Sequence, residues 1–274
     1  MRNRITITLR DDIVKEVDKL INNLTIRSRS QAIEYLLSKS ISNYKIDSAL
    51  ILAGGYNDGF KRSPVHKSMQ LVNGKPLLEN IVLLLKKIGI KRFVFSCDYM
   101  ADQIRNYFSD GKKWDVEITY EVSEKPEGRA SAIKLAKNHF DKTFLVWYGD
   151  TLCKFDLNDM IRSHNDNKAL ATIALTTVSN PLNYGVVKMC GNRITDFVEK
   201  PSKKVAESFL VSAGIFLAEP ELFKYISSGM KSLESDLFPK LAKKNLLIGN
   251  PFEGVWLNVN DKDDLQKANN LWKG

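Results

Sequence analysis

The residues best placed for chemistry stand where apolar runs end. Ala49-Leu50-Ile51-Leu52-Ala53 stops at Gly54-Gly55, and Thr143 to Tyr148 stops at Gly149-Asp150. A short apolar run closed by glycine reads as a buried parallel strand. Ligands of an open α/β sheet bind at the carboxyl ends of such strands. Other candidates carry less. Cys97, Cys153 and Cys190 are widely spaced with no CxxC pair, which argues against a zinc site or a disulfide framework and leaves buried free thiols. His66 and His164 have no partner set for acid–base work or metal ligation, and His164, after an amphipathic helix, reads as surface. A different chemistry is suggested at the other end of the chain, where Arg4, Thr6 and Thr8 share one face of an alternating segment and Arg27 and Arg29 follow.

Two groups of elements must position these residues. The 274-residue chain carries a net charge of +9, and residues 1–45 hold nine Lys/Arg against five Asp/Glu. Basic charge is thus concentrated at the N-terminus, as expected of a part that meets polyphosphate. The aliphatic stretch Ile81–Leu85 is far shorter than a membrane span, and Arg2 and Arg4 precede a run too interrupted for a signal peptide. A cytoplasmic protein with no membrane partner is expected. Arg4–Leu9 alternates as a strand, and a lone strand needs a partner for its backbone groups. Asp11 and Asp12 open a helix carrying Ile13, Val14, Val17, Leu20 and Ile21, which Asn22-Asn23 breaks. Ser30 is the expected N-cap of a second helix with Ile33, Leu36, Leu37 and Ile41 on its apolar face. So little chain cannot enclose a private core; a homodimer would pair the strands and share the helices.

Residues 2–42 resemble the ribbon-helix-helix family, in the form RITITL…RSRSQAIEYLL. The resemblance implies a dimer whose paired strands enter the major groove of double-stranded DNA. Arg4, Thr6 and Thr8 would face base edges, and Ser28, Arg29 and Ser30 would hold a phosphate at the helix start. No cofactor is implied for DNA binding. Ser40 to Asp47 reads as a polar break before the next strand.

Beyond it, helices are expected over Pro76–Lys87, Met100–Phe108 and Gly128–Asn138, and strands over Arg92–Ser96 and Glu117–Tyr120. Alternation of this kind predicts an α/β, doubly wound, Rossmann-like sheet. The expected domains are therefore residues 1–44 and 48–274.

The larger part resembles the sugar-1-phosphate nucleotidylyltransferase family. Leu52-Ala53-Gly54-Gly55, Lys67, Gly74-Lys75-Pro76-Leu77-Leu78, Pro126-x-Gly128, Gly149-Asp150, Tyr184-Gly185, Phe197 to Pro201 with Glu199 and Lys200, Ala213-Gly214-Ile215-Phe216 and Trp256 match its motifs in order. The resemblance implies a nucleotide, sugar phosphate or nucleotide sugar as ligand, held by Leu52, Ala53, Gly54, Gly55, Lys67, Gly128, Asp150, Tyr184, Gly185, Glu199, Lys200 and Asn258. If the site is active, Lys67 and Asp150 would be catalytic, with Mg on Asp150. Departures cluster on the triphosphate side. The loop Tyr56-Asn57-Asp58-Gly59-Phe60-Lys61-Arg62 lacks the family's GxGTR string, Ser123 replaces a base-reading glutamine, Ser212 an asparagine, and Asn258 the second metal aspartate. An amide oxygen binds magnesium more weakly than a carboxylate. Together these features predict a dimeric DNA-binding transcription regulator whose enzyme-like domain senses an effector. The alternative is an active nucleotidylyltransferase that also binds DNA.

Overall fold

The computed structural model describes residues 5–21, 26–43, 46–55, 59–60, 63–123, 128–203 and 208–273. The chain divides into two compact units, residues 1–45 and 46–274.

In the first unit, α1 (Asp11–Lys19) has Asp11 and Asp12 in its first turn and Lys19 in its last, each complementing the helix dipole. The second helix, α2 (Arg29–Asn43), starts one residue before Ser30. Ser28 is the cap, its hydroxyl accepting from the Gln31 amide at 3.3 Å. The helix runs through Asn43, so the expected break at Ser40 begins later. Val17 and Ala32 are buried, whereas Ile5, Ile7, Ile13, Leu36 and Leu37 are exposed. Residues 5–10 are neither helix nor strand in this single chain. Arg4 and Asn22-Asn23 lie outside the described residues.

The second unit is built on β1 (Ser48–Leu52), the short pair β2 (Leu71–Val72) and β3 (Lys75–Pro76), α3 (Leu77–Lys87), β4 (Arg92–Cys97), α4 (Ala101–Phe108), β5 (Glu117–Val122), α5 (Arg129–Leu135) and β6 (Phe144–Tyr148). There follow β7 (Thr151–Lys154), α6 (Leu157–Asp166), β8 (Ala171–Thr177), β9 (Gly185–Cys190), β10 (Arg193–Glu199), β11 (Leu210–Ala218), α7 (Phe238–Lys243), β12 (Leu247–Pro251), β13 (Val255–Asn258) and α8 (Lys262–Leu271). Among the described residues a nine-stranded sheet has the order β5-β4-β1-β6-β11-β8-β12-β10-β9. The half from β5 to β6 is parallel. Its strands β1 and β6 are buried throughout, as strands covered on both faces must be. Beyond β6 the sheet is mixed: β11 enters antiparallel to both β6 and β8. Helix α5 ends at Leu135 and tightens into a 3₁₀ turn over Ala136–His139.

Candidate active site

Sheet register assembles the site. β1 and β6 lie side by side with Leu52 opposite Tyr148, so Gly54-Gly55 and Gly149-Asp150 emerge together. The Gly149 amide donates to the Leu52 carbonyl at 2.9 Å. Because β11 is antiparallel to β6, with Ile215 opposite Trp147, its beginning at Ser212–Gly214 returns to the same end. Gly214 has a φ of +74°, and a Cβ there would stand 2.9 Å from the Tyr148 ring; glycine is required by both. The pairing of β7 with β13 sets Asn258 opposite Thr151, and the Val259 amide donates to the Asp150 carbonyl at 2.8 Å. The two positions expected to carry metal carboxylates are therefore neighbours, one of them an amide.

Asp150 is buried. Its Oδ2 accepts from Lys67 Nζ at 2.7 Å, with the two side chains only 8% and 17% exposed. Burial alone would raise the carboxyl pKa, but Lys67 and then Arg129 reverse that and hold it below the usual carboxylate value. Asp150 is thus ionised at neutral pH. Lys67 is set in a 3₁₀ turn, Lys67–Met69, capped by His66, whose Nδ1 accepts from the Ser68 amide at 3.2 Å. Burial, then the Lys67 charge, push the His66 imidazole down to about 4, so it is neutral and serves as a cap. Neither Lys67 nor Asp150 is ordinary surface charge.

Two cavities meet here. The first, of about 460 Å³, is lined by Leu52, Gly54, Gly55, Lys67, Ser96, Cys97, Asp98, Ser123, Gly128, Ser131, Ala132, Lys231 and Ser232. The second, of about 520 Å³, is lined by Thr151, Asn183, Tyr184, Gly185, Glu199, Lys200, Ser212, Ala213, Gly214, Trp256, Asn258, Asn260, Asp261 and Asp264. Arg129, Tyr148, Asp150 and Glu234 line both. Of the expected ligand residues, Ala53 lines neither; it is buried, its amide donating to the Ser96 carbonyl at 2.9 Å. Tyr56, Asn57, Asp58, Lys61, Arg62 and Pro126 lie outside the described residues.

In the second cavity Tyr184 meets Trp256 edge-on at 5.3 Å, and Trp256 Nε1 donates to the Ala213 carbonyl at 3.0 Å. Lys200 adopts a φ of +45°, a left-handed conformation that costs a non-glycine residue energy and concentrates at functional sites. Burial and then Glu234 raise the Glu199 carboxyl above its usual pKa, against the pull of Lys200 and Arg129.

Sequence reasoning missed Asp98, Arg129 and Glu234. Asp98 Oδ1 accepts from the Gly55 amide at 2.6 Å and also from Tyr99, fixing the glycine turn. Glu234 Oε1 accepts from the Tyr148 hydroxyl at 2.7 Å and from Arg129 Nη1 at 2.9 Å. Arg129 directly follows the matched Gly128, which is the one signal that pointed to it.

Two minor expectations are corrected. His164 is buried: α6 turns it against the sheet, with Nδ1 2.8 Å from Thr172 Oγ1 and Nε2 3.0 Å from Glu219 Oε1. Cys190 is exposed, whereas Cys97 and Cys153 are buried, and burial pushes the Cys97 thiol up to about 12. In the first unit, Thr6, Thr8, Ser28, Arg29 and Ser30 are exposed, and Arg29 Nε and Nη2 donate to the two Asp18 oxygens at 2.7 and 2.8 Å. Among the described residues, no helix is long and apolar enough to cross a membrane, and no three His, Cys, Asp or Glu side chains are grouped to hold a metal by themselves.

A sheet of this order, half parallel with a cleft at the carboxyl ends of its strands, defines an α/β protein of the kind that binds ligands there. The chain belongs to the nucleotidyl transferase family, which matches residues 48–273. It is 33% identical over 245 residues to a UTP–glucose-1-phosphate uridylyltransferase of Synechocystis sp., covering 80% of this chain and 62% of that protein. A mannose-1-phosphate guanyltransferase of Yarrowia lipolytica is 31% identical over 234 residues, covering 81% and 63%. This chain thus spans a little under two thirds of the length of these relatives. The Bacillus anthracis protein assigned as a glucose-1-phosphate thymidylyltransferase superposes with a TM-score of 0.73 at 25% identity, over 82% of this chain and 94% of its own. HddC from Yersinia pseudotuberculosis shares the fold, with a TM-score of 0.72 at 23% identity over 83% and 100%. The Synechocystis, Yarrowia and Bacillus relatives, all named as nucleotidylyltransferases, overturn the expectation of a DNA-binding regulator with a sensing domain.

Proposed function

We propose that the chain is a sugar-1-phosphate nucleotidylyltransferase. The observation that carries this reading is the junction of two cavities at an ionised, buried Asp150 paired with Lys67. The nucleoside triphosphate occupies the cavity walled by Gly54-Gly55, Ser123 and Gly128, and the sugar phosphate the one walled by Tyr184, Glu199 and Lys200. A phosphate oxygen of the sugar phosphate attacks the α-phosphorus. A new P–O bond forms, the bond to the β-phosphate breaks, and its electrons leave with pyrophosphate. Such transfers depend on positioning and on charge neutralisation. Lys67 and Lys200 supply positive charge on the two sides.

The donor set fits magnesium: Asp150 is a hard, ionised oxygen ligand and Asn258 stands in register beside it, and magnesium is commonly held by one or two carboxylates plus substrate phosphates. When bound, it would neutralise charge on the phosphates being separated. The test is pyrophosphate release from a panel of four nucleoside triphosphates and common hexose-1-phosphates with magnesium. Turnover with at least one pair, lost in Asp150→Ala, is expected; background release from every pair would overturn the reading.

A second reading concerns the first unit. We propose that residues 5–43 join two copies of the chain in a ribbon-helix-helix arrangement. Its support is the exposure of Ile5 at 79%, Ile7 at 53% and Leu37 at 56%, too much apolar surface for so short a segment to leave in water. Sedimentation equilibrium of the full chain should give a dimer, and removal of residues 1–45 a monomer; the same number of chains per particle in both would refute it.

A further inference from the structure

We infer that Arg129 is a catalytic residue that binds the phosphate undergoing transfer, with Glu234 and Tyr148 positioning it. This rests on the nucleotidylyltransferase reading and goes beyond it, because neither the matched motifs nor the second metal position assigns any role to Arg129.

The reacting phosphorus must sit where the two cavities join, since one partner arrives from each. Four described side chains line both cavities: Arg129, Tyr148, Asp150 and Glu234. Each of the four already has a partner. Asp150 is paired with Lys67. Tyr148 donates its hydroxyl to Glu234. Glu234 accepts from Tyr148 and Arg129 at Oε1 and from Ser232 at Oε2, the last at 3.0 Å. Arg129 is the cation of the set. Among the described residues its guanidinium donates one hydrogen bond, through Nη1, and a guanidinium carries five donors in a planar fork. The unused part of the fork is on a side chain that is 46% exposed, toward the shared space.

The residue is also held as a catalytic arginine needs to be. Its guanidinium carbon stands 4.4 Å from the centre of the Tyr148 ring, a cation–π contact that, with the Glu234 bond, restrains the side chain. Its backbone is docked as well: the Ala130 amide donates to the Lys231 carbonyl at 3.1 Å, and a Cβ on Gly128 would stand 2.3 Å from that same oxygen. Glycine at 128 is therefore what lets the loop close on the segment that carries Glu234. A planar fork of fixed orientation matches two phosphate oxygens at once, which lysine cannot do. Charge develops on those oxygens during transfer, so the contact strengthens toward the transition state.

The test uses the full chain with Arg129→Met, Arg129→Lys and Glu234→Gln, each first checked for an unchanged thermal midpoint. Steady-state pyrophosphate release and calorimetric binding of UDP-glucose and GDP-mannose, whose α-phosphates would lie at the junction, are both measured. Arg129→Met should lower kcat about 100-fold or more, as for loss of a transition-state donor, with KM for the triphosphate changed only a few-fold. It should also weaken nucleotide-sugar binding about tenfold. Arg129→Lys should keep the charge but recover little of kcat. Glu234→Gln should fall between, lowering kcat with a smaller effect on binding. Wild-type turnover with Arg129→Met within twofold of it in both readouts overturns the role of Arg129 and leaves the reaction intact. A wild type that binds nucleotide sugar but never releases pyrophosphate, with binding lost in Arg129→Met, overturns the reaction and keeps Arg129 as a phosphate ligand. A wild type that does neither overturns both.

Discussion

The two cavities share a wall but are built from different material. The first is walled mainly by small side chains and turns, Gly54, Gly55, Ser96, Ser123, Gly128, Ser131 and Ala132, together with Lys67, Asp98 and Lys231. The second adds aromatic rings and amides, Tyr184, Trp256, Asn183, Asn258 and Asn260, to the charged Glu199, Lys200, Asp261 and Asp264. Small residues let backbone approach a flat base and a chain of phosphates, as glycine turns do in nucleotide sites. Carboxylates and amides suit the hydroxyls of a sugar, each of which must donate and accept. Substitutions should therefore act differently on the two sides, and most strongly where the sides meet.

The largest effect is expected at the junction. Lys67→Met would leave Asp150 buried without its partner. Breaking a buried pair this way costs about 3–5 kcal/mol, and catalysis should fall with it. The measurement is chemical denaturation together with pyrophosphate release. Unchanged stability would mean that Asp150 is better hydrated than its 6% exposure indicates. The same pair sets a pH dependence. Asp150 has a folded pKa below its unfolded value, so its share of stability is present above the unfolded pKa and is lost as pH falls through the folded one. Acid titration of wild type should show that loss, and Asp150→Asn should remove it.

A medium effect is expected in the second cavity. The Glu199 carboxyl is raised by burial and by Glu234, so it ionises later than an ordinary glutamate as pH rises. If the ionised form accepts sugar hydroxyls, KM for the sugar phosphate should improve as pH rises through that elevated value. Glu199→Gln should flatten this profile and raise KM about tenfold, the size of one lost charged hydrogen bond, while KM for the triphosphate stays within twofold. Equal changes in both constants would erase the distinction between the cavities.

Much of this site is legible in the sequence because it lies at strand ends. An apolar run closed by Gly54-Gly55 or Gly149-Asp150 marks both a buried strand and its ligand-facing terminus, and the register of β1 against β6 places the two together. What escapes local reading depends on contacts distant in sequence. Glu234 lies 105 residues from Arg129, and no spacing rule joins them. His164 lies within α6 rather than after it, and Thr172 and Glu219 supply the polar partners that let it be buried. The antiparallel entry of β11 is equally hidden: alternating strands and helices predict a parallel sheet, and only long-range pairing reveals the reversal that returns Gly214 to the cleft. At the N-terminus, Ile5 and Ile7 alternate as strand residues, but a ribbon needs a second chain to pair with.

The smallest effect separates two meanings of Asn258. It stands opposite Thr151 and next to Asp150, lining the second cavity rather than the first. If its amide serves as a weak oxygen ligand, Asn258→Asp adds a charge at an existing coordination position. Magnesium should then half-saturate the reaction at a concentration several-fold lower, with kcat changed little, since a carboxylate is the stronger hard-ion donor. If the amide instead reads a sugar hydroxyl, the added carboxylate cannot donate a hydrogen bond. KM for the sugar phosphate should then rise, with the magnesium requirement unmoved. Titrating magnesium at saturating substrates, and then sugar phosphate at saturating magnesium, separates the outcomes. A shift in the first titration alone assigns Asn258 to the metal, whereas a shift in the second alone makes it part of the wall that distinguishes the sugar cavity from its neighbour.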